Sequence, residues 1–213
     1  MKPVHAFLGA AVTLSAIAGC STTTTIYDPA TTRLEIRQEG NVSSEEFRDV
    51  AIAAVNSALT NVKFKNFMKK YKTEMGDIDA IPVLKLDKVI NDTDDPDLNV
   101  DEMTDLLNEA LLNAGVVDVT LAEGQGRTAT IAASRDLEYD ENFDQSTVAP
   151  KGTLQAARLL LRPKVISSLV SDGSRRATTR TFVLEMVDIR TGLLMWKYTK
   201  QLGFLREKGT FGW

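Results

Sequence analysis

Residues 165–202 read VISSLVSDGSRRATTRTFVLEMVDIRTGLLMWKYTKQL, and this stretch decides the fold. It contains three successive runs of strand-forming residues, at positions 165–170, 179–189 and 193–202. Turn-forming residues separate the runs at 171–174 and at 188–192, which is typical of hairpins. The pattern predicts three consecutive antiparallel strands.

Each of the last two predicted strands carries an apolar row on one face. Alternate residues point to the same side of a strand. One row is Phe182, Leu184 and Met186, and the next is Leu194, Trp196 and Tyr198. Such rows need a covering layer, and helices are the natural candidates.

The preceding residues alternate between helical and extended patterns. Ser43 and Glu46 form a capping-box pair before a helix that runs to about Leu59.

The mixed aromatic and basic segment 64–71 predicts a second short helix. Its aromatic residues belong either to the core or to a contact with a partner or membrane surface, and we favour the core. Further elements are expected as a strand at 81–90, a helix at 100–114 between Asn99 and Gly115, a strand at 116–121, a helical segment within 124–139, a loop at 140–147 and a helix at 153–160.

The fold class predicted from this order is an α/β (α+β) sandwich. Its mixed sheet ends in a C-terminal antiparallel meander, and helices pack on the sheet. We expect a single globular domain over residues 43–213, which is long enough to bury a core without disulfides.

The N-terminus has the composition of a secretion signal. Lys2 precedes the apolar run AFLGAAVTLSAIA at 6–18, which is shorter than the roughly 20 residues that span a bilayer. Residues 17–20 (IAGC) resemble the lipobox of bacterial lipoproteins, in which the cysteine is diacylated and cleavage occurs before it. The sequence thus predicts a signal peptide at 1–19 and lipid attachment at Cys20, and Ser21 in place of Asp points to the outer membrane.

A polar stretch follows the predicted anchor. Residues 20–42 are rich in Ser and Thr and contain Pro29, so we expect a lipidated N-terminus and a short tether, although Leu34 and Ile36 could form an edge strand. About twenty residues extend to at most about 70 Å. The globular part is therefore expected to work near its membrane.

The chemistry left to the mature chain is limited. His5 is the only histidine and Cys20 the only cysteine, and both are lost to processing or acylation. Nucleophilic triads, His or Cys metal sites and disulfides are therefore excluded within one mature chain. The net charge of −4 gives no basic surface for nucleic acid. We expect no cofactor, no metal and no enzymatic activity.

Acidic residues cluster at Asp92, Asp94, Asp95, Asp97 and Asp101. An EF-hand loop would require Gly where Val100 stands and Glu where Leu106 stands, so we favour a solvated loop before a helix over a calcium site. Paired carboxylates could also cleave a glycan, but no aromatic-rich groove signature accompanies them.

Several runs resemble the LpoB-type outer-membrane lipoproteins over residues 43–202. Residues 83–93 (VLKLDKVINDT), the helix end at 113–115 (NAG), residues 157–161 (ARLLL) and the closing pattern from Asp188 to Trp196 carry the resemblance. The chain departs from the family pattern at Ala156, where Gly is usual, and at 162–164 (RPK), where a glycine-containing strand start is expected.

This resemblance implies a non-catalytic regulatory module, anchored in the outer membrane and facing the periplasm. It would activate a penicillin-binding protein, a peptidoglycan synthase. The alternative is a structural or assembly lipoprotein of a secretion or flagellar machine, because curli-secretion lipoproteins share the domain style. Exposed polar segments at 140–147 and 171–176 are the expected contact surfaces.

Overall fold

The computed structural model describes residues 42–123, 127–171 and 175–207. These residues belong to one compact unit, and no helix among them is long and apolar enough to cross a membrane. The predicted signal peptide, Cys20 and nearly all of the tether lie outside the described residues. The elements are α1 (Ser44–Thr60), α2 (Val62–Met75), β1 (Val83–Leu86), β2 (Ile90–Asp92), α3 (Val100–Ala114), β3 (Asp118–Val119), α4 (Arg127–Arg135), a 3-10 turn (Asp136–Tyr139), β4 (Leu159–Ser171), β5 (Arg175–Asp188) and β6 (Leu193–Glu207).

The first helix begins at the predicted capping box. Ser43 Oγ accepts the backbone N–H of Glu46 at 3.2 Å, and the Glu46 carboxylate accepts the N–H of Ser43 at 3.1 Å. Asn61 separates α1 from α2, because its extended backbone interrupts the helix and its side chain caps Lys63 and Phe64. The reciprocal bonds satisfy donors that a helix start otherwise leaves unpaired.

The aromatic residues of α2 belong to the core. Phe64 and Phe67 are buried, and Phe67 stacks on Tyr71 with ring centroids 5.9 Å apart. Lys65 and Lys69 are exposed on the opposite side. The preferred interpretation of this segment is confirmed.

The single strand expected at 81–90 is divided in two. β1 pairs with β4 at Leu159–Leu161, and β2 pairs with the same strand further along, at 164–166. Between them Val89 turns inward and is buried, and its N–H donates to the Thr104 hydroxyl of α3 at 3.1 Å. Packing against α3 therefore interrupts the ladder.

The prediction of a helix at 153–160 is wrong. Residues 153–158 have no regular structure and β4 begins at Leu159. The N–H of Arg158 donates to the carbonyl of Val83 at 2.8 Å, which brings the chain alongside β1. Apolar residues then alternate inward along the strand, at Leu159, Leu161 and Val165. Pairing with β1 and β5 outweighs the local helical pattern.

Pro163 lies inside β4 rather than before it. Leu161 accepts the N–H of Asp87, and residues two apart point their backbone groups to the same side. The nitrogen of Pro163 therefore faces the interruption between β1 and β2, where a missing N–H costs no ladder bond.

The C-terminal meander is confirmed. The strand order is β3-β1-β4-β5-β6, with β2 also paired to β4. β4 pairs antiparallel with β5, and β5 with β6, while β1, β2 and β3 are parallel to their partners. This mixed sheet with helices is the predicted α+β sandwich.

One face of the sheet receives α1. Phe47 contacts Phe182 of β5 with ring centroids 5.3 Å apart, and the Trp196 indole N–H of β6 donates to Ser57 Oγ at 3.3 Å. These contacts place the main core between α1 and the meander, as the apolar rows predicted.

Candidate docking surface

The chain between β3 and β4 forms a structured surface excursion, which we call the crossover segment (residues 127–157). It contains α4, the 3-10 turn and a loop. Among the described helices and strands, α4 makes substantial contact only with the adjoining turn. The segment is joined to the preceding chain where the N–H of Ala157 donates to Glu123 Oε1 at 2.7 Å.

The loop at 140–147 holds its shape through its own side chains. Asp140 Oδ1 accepts the N–H and side-chain amide of Asn142, at 2.9 and 2.8 Å. Asp144 Oδ1 accepts the N–H and hydroxyl of Ser146, at 2.9 and 2.8 Å. The side-chain amide of Gln145 donates to the carbonyls of Leu137, Asp140 and Phe143. These Asx-type bonds order a loop whose residues are mostly exposed.

The same hydrogen bonds affect the loop's ionisation. The pKa of Asp140 is lowered by the N–H of Asn142, and the pKa of Asp144 by the N–H of Ser146. Both carboxylates are ionised at neutral pH. The predicted polar loop is therefore a fixed, negatively charged surface.

Charged residues connect the end of the loop to α4 and the 3-10 turn. Lys151 Nζ lies 2.8 Å from the Glu138 carboxylate and 2.9 Å from the Tyr139 hydroxyl. The hydrogen bond from Lys151 lowers the pKa of Glu138. Arg135 donates to Thr153 Oγ1 at 3.2 Å and also to the carbonyl of Pro150. These contacts connect the C-terminal part of the crossover segment to its helical part.

An apolar groove of about 410 Å³ opens in this segment, lined by Ile131, Leu137, Phe143 and Val148 among others. Tyr139 is 73% exposed and Phe143 47% exposed. Aromatic side chains beside a groove supply large contact area at low entropic cost, so they are common anchors of protein interfaces.

The structure describes one of the two expected contact surfaces in full and the other only in part. The loop at 140–147 lies beside the groove. In the second segment, Ser171 and Arg176 are exposed, whereas residues 172–174 lie outside the described residues. Sequence reasoning missed the groove, because Ile131 and Phe143 come together only through the turn between them.

A buried polar cluster stabilises the hairpin between β5 and β6. Asp188 is 5% exposed, and its carboxylate binds Arg158 through Nε at 2.7 Å and a second nitrogen at 3.3 Å. It also accepts the N–H of Arg190 and the hydroxyl of Thr191. Gly192, with φ 68°, completes the turn. The Asp188–Gly192 motif is thus structural.

The acidic residues before α3 also have a structural role. Arg180, which is buried, pairs with Asp95 Oδ2 at 3.1 Å and with Asp94 Oδ1 at 3.5 Å. Asp94 Oδ1 accepts the Ser167 hydroxyl at 2.6 Å, and this bond lowers the Asp94 pKa. Two carboxylates of the suggested calcium loop are therefore engaged with the sheet. Within the ranges described, no three His, Cys, Asp or Glu side chains are grouped to hold a metal.

Calcium is accordingly expected not to bind specifically to this loop. Titration calorimetry of the mature chain with millimolar calcium should give only the heat of dilution, because Asp94 and Asp95 already neutralise Arg180. The variant Asp97→Asn should give the same trace. A saturable micromolar site lost in that variant would contradict this expectation.

Comparison with known proteins matches most of the chain to one family. The family of the peptidoglycan-synthase activator LpoB matches residues 46–202. The LpoB C-terminal domain of Escherichia coli is 18% identical, with 63% of this chain and 93% of that chain covered and a TM-score of 0.35. The Salmonella enterica LpoB domain is also 18% identical, covering 63% and 91%, with a TM-score of 0.32.

A different kind of match occurs with a curated plant protein. The CHD3-type chromatin-remodeling factor PICKLE of Arabidopsis thaliana is 32% identical over 116 residues, which is 51% of this chain and 8% of that protein. The chain thus spans less than a tenth of that relative. The family match, in contrast, runs from α1 to β6, and the chain belongs to the family of the peptidoglycan-synthase activator LpoB.

Proposed function

We propose that this chain is an outer-membrane lipoprotein that binds a penicillin-binding protein from the periplasmic side and raises its rate of peptidoglycan synthesis. The observation that carries the proposal is the family match over residues 46–202. The family is one of activators of an enzyme, and the expectation that the chain is not itself an enzyme is confirmed. The same match favours activation over the alternative of a structural secretion or flagellar component.

The crossover segment is the docking surface in this proposal. It contains the groove, which Phe143 lines, the exposed aromatic Tyr139, and the ionised carboxylates of Asp140 and Asp144. Because local hydrogen bonds already hold the loop at 140–147, binding would cost little ordering entropy there.

Activation requires no catalytic group on the activator. A partner that binds the active conformation of the synthase more tightly than the inactive one shifts the population by that difference. A tenfold preference corresponds to about 1.4 kcal/mol, which a small docking surface supplies.

The test is turnover of lipid II by the cognate synthase, with and without the mature chain carrying Cys20→Ala. We expect a higher rate of glycan polymerisation or crosslinking with the added chain. An unchanged rate at a saturating concentration of demonstrably folded protein would refute activation.

The docking surface is tested separately with Tyr139→Ala/Phe143→Ala. We expect this double variant to weaken binding to the synthase at least about tenfold, since exposed aromatic anchors each contribute about 1–2 kcal/mol or more. Val62→Ala, which removes another exposed apolar side chain (70% exposed) far from the crossover segment in sequence, serves as the control. If both variants activate equally well, the surface lies elsewhere while activation itself stands.

A further inference from the structure

The sheet has one long open edge, which is formed by β6. Among the described strands, β6 lies at one end of the strand order and pairs only with β5. In a strand that is paired on one side, about half of the backbone N–H and C=O groups point away from the partner. This strand is fifteen residues long, whereas β3 at the opposite edge has only two. Long open edges invite pairing with another strand, and proteins generally protect them.

The helix-facing side of this edge is apolar and incompletely covered. Trp196 is buried, whereas Tyr198 and Leu202 pack against the core while remaining partly exposed. Lys200, on the same face, is exposed. An added strand with apolar residues two positions apart would extend this row and cover it further.

The chain just before α1 contains a segment with the required pattern. Residues 34–38 read LEIRQ, in which Leu34 and Ile36 alternate with charged residues. This two-residue period is typical of a half-buried strand. The turn-forming residues Gly40 and Asn41 separate the segment from the start of α1. Residues 34–38 lie outside the described residues, so the elements that follow them decide where they can pack.

The course of α1 sets the direction of such a strand. Phe47, near the start of α1, contacts Phe182, which pairs with Lys200 of β6. Ser57, near the end of α1, accepts the indole N–H of Trp196. Because Trp196 precedes Lys200 along β6, α1 runs opposite to β6. A strand joined to the start of α1 by a short link that reverses the chain therefore runs parallel to β6.

The link before α1 is long enough for this placement. Residues 39–41 allow at most about 14 Å between Gln38 and Val42, whereas packed layers lie about 10 Å apart. Since α1 begins near the level of Lys200, the segment can lie beside residues 198–202 of β6.

The handedness of chain crossovers favours the β6 edge over the β3 edge. β1, β3, β4 and β6 point in the same direction, and α1 and α3 bury their apolar residues in one core. The connection from β1 through α3 to β3 moves across the sheet away from β6. A connection from a strand beyond β6 through α1 and α2 to β1 moves the same way over the same face, so both have the same hand. A parallel strand beyond β3 would need the opposite hand, and about 98% of such crossovers are right-handed.

We propose that residues 34–38 of this chain pair in parallel with β6, beside residues 198–202, and complete the sheet as an edge strand. Leu34 and Ile36 extend the apolar row of β6, while the charged residues between them face solvent. The pairing closes the open edge and holds the end of the tether against the domain.

A second copy of the chain fits this edge less well. Antiparallel pairing of two β6 strands about this region would bring Lys197 and Lys200 of one copy close to those of the other. Like charges opposite each other in a sheet are destabilising. Residues 34–38 carry one acidic and one basic side chain, and their covalent link to α1 gives them a high effective concentration at the edge.

The pairing is tested by NMR of the mature chain carrying Cys20→Ala, without synthase or lipid. We expect NOEs between backbone protons of residues 34–38 and residues 198–202. In the additional variant Ile36→Asp these NOEs should disappear, because burying an unpaired charge is unfavourable. The N–H groups of β6 that point away from β5 should then exchange with solvent at least about tenfold faster.

The matched control is Ile26→Asp, which makes the same change elsewhere in the tether and should leave the NOEs and the exchange rates unaltered. Absence of the NOEs in the chain that retains Ile36 would overturn the proposal. Equal exchange rates of β6 in the Ile36→Asp and Ile26→Asp variants would overturn it too, as would a dimer paired through β6 with residues 34–38 free. Because neither measurement involves the synthase, failure here leaves the proposed activation standing.

Discussion

Asp188→Ala is expected to lower the free energy of unfolding by about 3 kcal/mol, because removing one partner of a buried ion pair leaves the other charge uncompensated. The side chain of Asp188 is 8% exposed and that of Arg158 is 17% exposed. Removing the carboxylate leaves Arg158 with Glu74 at 3.3 Å as its remaining acidic partner. It also removes the acceptor for Arg190 and Thr191 that shapes the hairpin turn. Urea denaturation of the mature chain, followed by circular dichroism, measures the effect.

The matched control is Glu185→Ala on the same strand. Glu185 pairs with Lys197 at 2.9 Å, but both side chains are solvent-accessible, at 31% and 51%. An exposed pair contributes between about 0 and 1 kcal/mol. Equal losses in the two variants would contradict the assignment of Asp188 as a buried hairpin anchor.

The effect of Asp188→Ala should depend on pH. Burial alone raises the pKa of Asp188, but hydrogen bonds from Arg158, Thr191 and the N–H of Arg190 outweigh it and lower the pKa overall. A folded-state pKa below the unfolded value of about 3.9 means that the carboxylate stabilises the fold fully above that value. This contribution is lost as the pH falls through the folded-state pKa. The difference between wild type and variant should therefore be full at pH 7 and should shrink on acidification below about pH 4.

The sequence was sufficient to predict those helices and turns whose ends are fixed by residues within the element or next to it. The Ser43–Glu46 capping box, the Asn99 cap and the left-handed Gly115 all lie within one turn of the helix end that they define. The same holds for the hairpin at Asp188–Gly192. In each case the capping or turn hydrogen bonds join residues close in sequence, so spacing alone predicts them, whereas the pair between Asp188 and the distant Arg158 is not predicted in this way.

The errors arose where distant residues decide the structure. Residues 153–160 fit a helix locally, yet Arg158 and Leu159 are held by β1 and by Asp188 of β5. The acidic loop is largely exposed, as expected, but its local sequence does not indicate that Asp94 and Asp95 pair with Arg180, more than eighty residues further along the chain. A buried arginine at that position is visible only after the register of β4 and β5 is known. The docking groove is a different case, because its lining residues lie between positions 130 and 149 and come together only through the turn between them.

Cys20→Ala is expected to abolish lipid attachment altogether, because the thiol is the acylated group in the lipobox resemblance at 17–20. The precursor should remain uncleaved or the product should be mislocated. Metabolic labelling with an alkyne fatty acid, followed by membrane fractionation, measures both outcomes. Ser21→Ala is the matched control and should be acylated normally, while Ser21→Asp should be acylated but retained at the inner membrane. Normal acylation of the Cys20→Ala chain would refute the assignment of Cys20.

The same variant separates anchoring from activation. A tether of about twenty residues reaches at most about 70 Å when fully extended, and an anchor confines the domain to that distance from its membrane. If activation depends on docking alone, the unanchored Cys20→Ala chain should activate the purified synthase as well as the acylated chain does. In cells, however, it should fail at normal expression, because tethering raises the effective concentration of the domain near its partner. Full activity of the unanchored chain in cells would show that the anchor is dispensable for function.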